Sequence, residues 1–159
     1  MNERKESTTS IILEYVRVIV LTVIATFIFL QFVQISRVNG SSMENTYFQN
    51  NIVLIDKVFY KHSQPKRNDI IIVDYDDGLD DTLIIKRVIA VGGDHLDIKN
   101  NEVYINGKKI KESYIKENMN TEDLSIDIPK GKVFVMGDNR NHSLDSRKLG
   151  YFDFDNDVI

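Results

Sequence analysis

With 159 residues and a net charge of -4, the chain has room for one ordinary domain and an appendage. It contains no cysteine, which excludes disulfides, thiol catalysis and Cys-ligated zinc. The basic residues are scattered and the balance is mildly acidic, which argues against a nucleic-acid partner.

The first element is an apolar run, Val18–Ser36, with no charged residue over 19 positions. At 1.5 Å per residue that length spans one bilayer crossing as a helix. A buried core helix would be amphipathic, and this run is apolar all round. A cleaved signal peptide would have a shorter apolar region and a small-x-small exit, which "QFVQISRVNG" does not supply. A membrane anchor is the reading that fits. Residues 1–17 then form a cytoplasmic tail, 18–36 the anchor and 37–159 an extracytoplasmic domain, because Arg4, Lys5 and Arg17 precede the run.

Beyond the anchor the pattern is mostly β. "IVLIDKVFY" (52–60), "IIIVDY" (70–75), "TLIIKRVIAV" (82–91), "EVYINGKKI" (102–110) and "KVFVMGD" (132–138) read as strands rich in β-branched and aromatic residues. Asn106-Gly107 inside the fourth predicts a type I′ hairpin. Residues 111–128 read as a polar loop, and no amphipathic helix is expected after the anchor. "DYDDGLDD" has the wrong spacing for a calcium loop, and His62, His95 and His142 form no metal-binding motif. No metal or cofactor is expected.

Two stretches invite chemistry. "NGSSMENTY" puts Ser41 and Ser42 just after the anchor, with no histidine nearby. Lys86 sits in "LIIKRVIA", where strand alternation sets it on one face with Ile84, Val88 and Ala90 and turns Arg87 to the other. Such a lysine either snorkels from an edge or has its ammonium desolvated. Desolvation would lower its pKa and let the neutral amine deprotonate a serine. A third stretch, "MGDNRNHSLDSRKLG" (136–150), is dense in polar residues directly after an apolar strand. Its Asp138, Arg140, Asp145 and Arg147 are able to pair among themselves, and Ser143 offers a hydroxyl.

Together the three stretches resemble bacterial type I signal peptidases, membrane-anchored serine proteases with a Ser/Lys dyad. "SMENT" is similar to the family's S-M-x-P-T, Lys86-Arg87-Val88 to its K-R-V, and Gly137–Gly150 matches G-D-N-R-x-x-S-x-D-S-R-x-x-G without a gap. The resemblance covers nearly the whole chain and its short loops look like the Gram-positive type. It implies an antiparallel β catalytic domain at the membrane surface. It implies Ser42 as nucleophile, Lys86 as general base and the Ser42 backbone N–H in an oxyanion hole. By the same resemblance Ser143 would orient the Lys86 amine, Asp145 and Arg147 would pair in support of the site, Met43 would pack beside the nucleophile and Asp138 would support the loop. The implied partners are preprotein signal peptides, bound as an added strand with small side chains before the cut, and membrane lipid. The chain departs from the motif at Asn45, where the family carries Pro, so the turn after Ser42 is expected to be looser or reshaped. That departure keeps open a peptidase dedicated to a few clients such as pilin precursors; a non-enzymatic pilus-assembly chaperone of the same fold is the other alternative, against which both Ser42 and Lys86 are present here. Self-cleaving repressors also use Ser and Lys, but an apolar run stands where their DNA-binding module would be.

Overall fold

The computed structural model describes residues 8–57, 63–76 and 81–158. Helix α1 spans Thr8–Phe32, and every residue of it is exposed. The apolar side chains have no protein to bury against, so the helix is long and apolar enough to cross a membrane. It starts before the uncharged run and stops four residues short of Ser36. Val33–Arg37 instead forms strand β1, paired antiparallel with β2 (Ile52–Asp56). The expected extension of β2 to Tyr60 falls in 58–60, outside the described residues.

Eight further strands form two four-stranded antiparallel sheets. The first contains β3 (Ile70–Asp76), β4 (Asp81–Val91), β9 (Lys132–Met136) and β10 (Phe152–Asp153), in the order β10-β9-β4-β3. The second contains β5 (His95–Lys99), β6 (Glu102–Ile105), β7 (Lys108–Lys109) and β8 (Leu124–Asp127), in the order β7-β6-β5-β8. Short helices α2 (Ser146–Leu149) and α3 (Phe154–Asp157) follow β9 and β10. The chain is thus mostly antiparallel β with one N-terminal apolar helix.

The centre of the first sheet is buried on both faces, which is why "KVFVM" is a continuous apolar run and not an alternating one. Val133 and Val135 of β9 face a cluster with Ile71, Val73, Val88 and Phe152. Phe134 and Met136 face the opposite way, into a cluster with Leu96, Ile98, Val103 and Ile105 of the second sheet. Each such fully buried side chain contributes about 1.5–3 kcal/mol. The hairpin at Asn106-Gly107 forms as the sequence indicates, with both residues at positive φ (51° and 76°). Four strands were not legible: β1, within the supposed anchor and its exit, β5, β8 at the end of the supposed loop 111–128, and the two-residue β10. Asp94, buried at the turn between β4 and β5, ties the sheets together. It accepts from the Val91 N–H, the Asn106 amide and the Arg67 guanidinium.

Strand alternation in β4 is broken once. The register with β9 shifts between Val88 and Ala90, leaving Ile89 as a bulge. Lys86 keeps Ile84 and Val88 as neighbours on its face, but Ala90 moves to the cluster shared with the second sheet. The face expected from strict alternation ends at the bulge.

Candidate active site

The serine lies in a compact turn between β1 and β2. Two backbone bonds close its base, from Val38 N–H to Asn51 O and from Asn50 N–H to Val38 O, each 2.9 Å. Within it, the N–H groups of Thr46 and Tyr47 both donate to Met43 O, forming one helical turn after Ser42. Met43 is 1% exposed and pins this turn to the domain, beside Ser42 as the resemblance implies. Asn45 has φ = 90°. Proline is locked near -65°, so it cannot adopt this conformation. The turn after Ser42 thus has a backbone conformation closed to proline, and the Asn45 side chain donates to Tyr114 O at 3.3 Å.

Lys86 enters from β4, opposite Ile71 of β3, and is 3% exposed. Its Nζ donates to Ser42 Oγ at 3.0 Å and to Ile85 O at 3.0 Å. Burial lowers its pKa to about 8, against a smaller opposing pull from the Asp145 carboxylate. Arg87, on the other face of β4, forms a bidentate pair with Asp138 at 2.8 and 2.7 Å. Asp138 also accepts from the Thr46 hydroxyl, which joins the lysine strand to the serine turn.

The loop after β9 holds both from beneath. Asn139 N–H donates to Ser42 O at 2.9 Å, and its side-chain amide donates to Ser41 O at 3.0 Å. Asp145 is fully buried and pairs with the Arg147 guanidinium at 2.9 and 2.8 Å. It accepts from Gly137 N–H at 3.0 Å and caps α2 by accepting from Arg147 N–H. Burial alone would raise the Asp145 carboxyl, but the guanidinium and the Gly137 N–H hold it below its ordinary value.

Two expectations change. Asp138 and Arg140 do not pair within the loop: Asp138 takes Arg87, and Arg140 takes Glu112 from the segment between β7 and β8. No hydrogen bond joins Ser143 to Lys86: its Oγ is buried beside the Asp145 carboxylate, which it helps to hold below its ordinary value. Both N–H bonds drawn for Lys86 go to Ser42 and Ile85. Ser143 is nevertheless close: a Cβ on Gly137 would fall 2.4 Å from Ser143 Oγ and 2.5 Å from Ser42 O. Glycine at 137 is what lets the two serines approach. Asn139 was legible only as part of a motif, and Glu112 and Tyr114 carried no signal at all.

Beside the pair lies a cavity of about 250 Å³ lined by Val38, Ser42, Val53, Ile55, Ile85 and Lys86. β3 pairs one edge of β4 along Leu83–Lys86, whereas β9 pairs the other edge only from Arg87 onward. Among the described residues, that length of the β4 edge pairs with no strand, and it borders the cavity.

The chain is 33% identical to signal peptidase I P of Bacillus subtilis subsp. natto over 164 residues, covering 96% of this chain and 88% of that protein. It is 37% identical to signal peptidase I U of Bacillus subtilis strain 168 over 131 residues, covering 77% and 69%. The crystal structure of a signal peptidase I from Enterococcus faecalis V583 superposes with a TM-score of 0.51 at 28% identity, covering 61% of this chain and 97% of that one. The family model described as signal peptidase, peptidase S26, matches residues 12–158, and to that family of peptidases this chain belongs.

Proposed function

We propose that this peptidase removes signal peptides from exported preproteins with Ser42 as nucleophile and Lys86 as general base. The carrying observation is the 3.0 Å contact between Lys86 Nζ and Ser42 Oγ on a lysine whose burial brings its pKa to about 8. A neutral amine is then available near neutral pH.

The neutral amine takes the Ser42 proton as Oγ bonds to the scissile carbonyl carbon. The oxyanion that develops is met by the Ser42 backbone N–H. Collapse breaks the C–N bond, and the Lys86 ammonium returns the proton to the leaving amine. Water then attacks the acyl-serine ester, with Lys86 again as base. When Nζ accepts from the serine hydroxyl, one of its N–H groups is released, and the buried Ser143 Oγ, which meets Ser42 O across Gly137, is suited to receive it. The free edge at Leu83–Lys86 suits an extended peptide added as a strand, its small side chains entering the apolar cavity. The relatives bear the name signal peptidase I, which favours this reading over a pilin-dedicated or chaperone role.

Helix α1 anchors the chain, with the tail inside and the β domain outside, following the bracketing Arg4, Lys5 and Arg17. The outer face of β1–β2 exposes Ile35, Ile52 and Leu54 directly after the helix, an apolar patch suited to lipid contact.

Cleavage of a preprotein by the intact chain, Ser42→Ala and Lys86→Ala in lipid near pH 8 tests the assignment. Both variants fold and lose activity to about a thousandth or less. Retained activity in either variant would refute it. Cutting of a pilin precursor alone would favour the dedicated version.

A further inference from the structure

Residues 111–123 contain no regular element, yet this polar segment is bonded along its length to the two loops that hold Ser42. Glu112 accepts from the Arg140 guanidinium at 3.0 and 2.6 Å, and the Arg140 side chain is fully buried. The Tyr114 hydroxyl donates to Glu112 Oε1 at 3.0 Å. The Tyr114 ring lies against Arg87, with the guanidinium carbon 4.1 Å from its centroid, and Arg140 stands at 5.8 Å. Tyr114 O accepts from Asn45. Lys116 N–H donates to Asp138 O at 3.0 Å, and its ammonium pairs with Glu44 at 2.5 Å. Asn118 O and Asn120 N–H both bond the Asn141 side chain, at 3.1 and 2.8 Å. Met119 is buried among the apolar residues of the second sheet and secures the far end.

A solvated loop would leave these groups to water. Instead its attachments fall on Glu44 and Asn45, which follow the nucleophile, and on 138–141, which carry the Asn139 bonds to Ser41 and Ser42. They also fall on Arg87, the residue next to Lys86. Burial and the adjacent Glu112 push the Tyr114 hydroxyl well above its ordinary value, so the ring remains a neutral platform for Arg87.

We propose that residues 112–120 form a strap that positions the Ser42–Lys86 pair, through the Tyr114 ring on Arg87, Glu112 on Arg140, and Lys116 with the Asn45 tether on the serine turn. This rests on the dyad reading above. None of these side chains touches the reacting atoms; they are positioning residues that fix the distance between two loops and one strand. The dyad draws its two members from segments 44 residues apart in sequence, and neither the serine turn nor the 137–145 loop is part of a sheet. The strap supplies side-chain and backbone bonds that span both. It also takes the place, in this chain, of a rigid residue at position 45.

The test compares the full chain in detergent with Tyr114→Leu, Tyr114→Phe and Asn45→Gly. Two readouts are used: kcat and KM for preprotein cleavage, and the pH midpoint for acylation of the Lys86 amine by a small reagent, read by mass spectrometry. Thermal unfolding reports folding. Tyr114→Leu lowers kcat about ten-fold or more with KM little changed, since small misplacement costs rate. It also moves the Lys86 midpoint up from about 8 as water reaches the amine. Tyr114→Phe keeps the ring on Arg87 and restores both values. Asn45→Gly keeps the positive φ, loses the tether, and shows a smaller change of the same kind; it decides the matter if Tyr114→Leu fails to fold. A folded Tyr114→Leu with unchanged kcat and midpoint overturns the strap, as does Tyr114→Phe falling as far as Tyr114→Leu. If the intact chain cuts no preprotein, the peptidase reading fails, while the shift in the Lys86 midpoint still judges the strap.

Discussion

In the proposed mechanism Lys86 has to lose its proton before it can take one from Ser42, and burial in β4 brings that within reach of neutral pH. Below about pH 8 it is an ammonium and cannot accept, so kcat/KM should climb with pH and level off above a midpoint near 8. A rate profile on a soluble preprotein peptide checks this; a midpoint above 10 would mean the lysine is not desolvated. The same shift affects stability. Between pH 8 and the ordinary lysine value the folded chain holds fewer protons than the unfolded chain, so it gains stability as pH rises there. Gly137 matters by what it lacks. In Gly137→Ala the new methyl would overlap Ser143 Oγ and Ser42 O, both within 2.5 Å of its ideal position. The expected result is a folded protein destabilised by about 1–3 kcal/mol with strongly reduced kcat, because Ser42 is displaced. Wild-type activity in this variant would show that the serine turn can shift without cost.

At the scale of elements, β4 carries the site. Its alternation sends Lys86 toward Ser42 and Arg87 toward Asp138, and the bulge at Ile89 re-aims the rest of the strand into the inter-sheet core. The loop from β9 into α2 depends on Asp145, which serves at once as helix cap, ion-pair partner and acceptor for Gly137 N–H. Asp145→Ala would strand a nearly buried guanidinium and a backbone donor. The expected cost is about 3–5 kcal/mol, seen as a large drop in the thermal midpoint. Because the folded Asp145 carboxyl lies below its ordinary value, this contribution is fully present above that value and is lost as pH falls through the lower one. The wild-type advantage over Asp145→Ala should therefore shrink in acid.

For the molecule as a whole, a mostly antiparallel β domain follows an apolar helix whose residues are all exposed. In the proposed topology, membrane attachment rests on α1 and on the apolar outer face of β1–β2. Replacing Ile19, Val23 and Phe27 with Lys should release the chain into the soluble fraction on alkaline extraction, since each charge is costly in hydrocarbon. Retention in the membrane pellet would shift the attachment to the β1–β2 face.

Much of this was written in local pattern. The apolar helix, five of the strands and the Asn106-Gly107 turn follow from side-chain periodicity and turn chemistry, which act between near neighbours, whereas the serine, lysine and 137–150 motifs were read through their resemblance to the signal peptidase family. β5 and β8 escaped notice because "HLDIK" and "LSID" are short and carry polar residues whose partners lie on other strands. The end of α1 at Phe32 was equally hidden, since Val33–Ser36 is apolar enough for a helix and becomes a strand only because β2 lies alongside. Tertiary structure alone decided that Asp138 pairs with Arg87, that Ser143 lies beside Asp145 and not on Lys86, and that Glu112 and Tyr114 reach the site. Those are bonds between residues distant in sequence, set by how two sheets and a connecting segment pack, and no spacing along the chain encodes them.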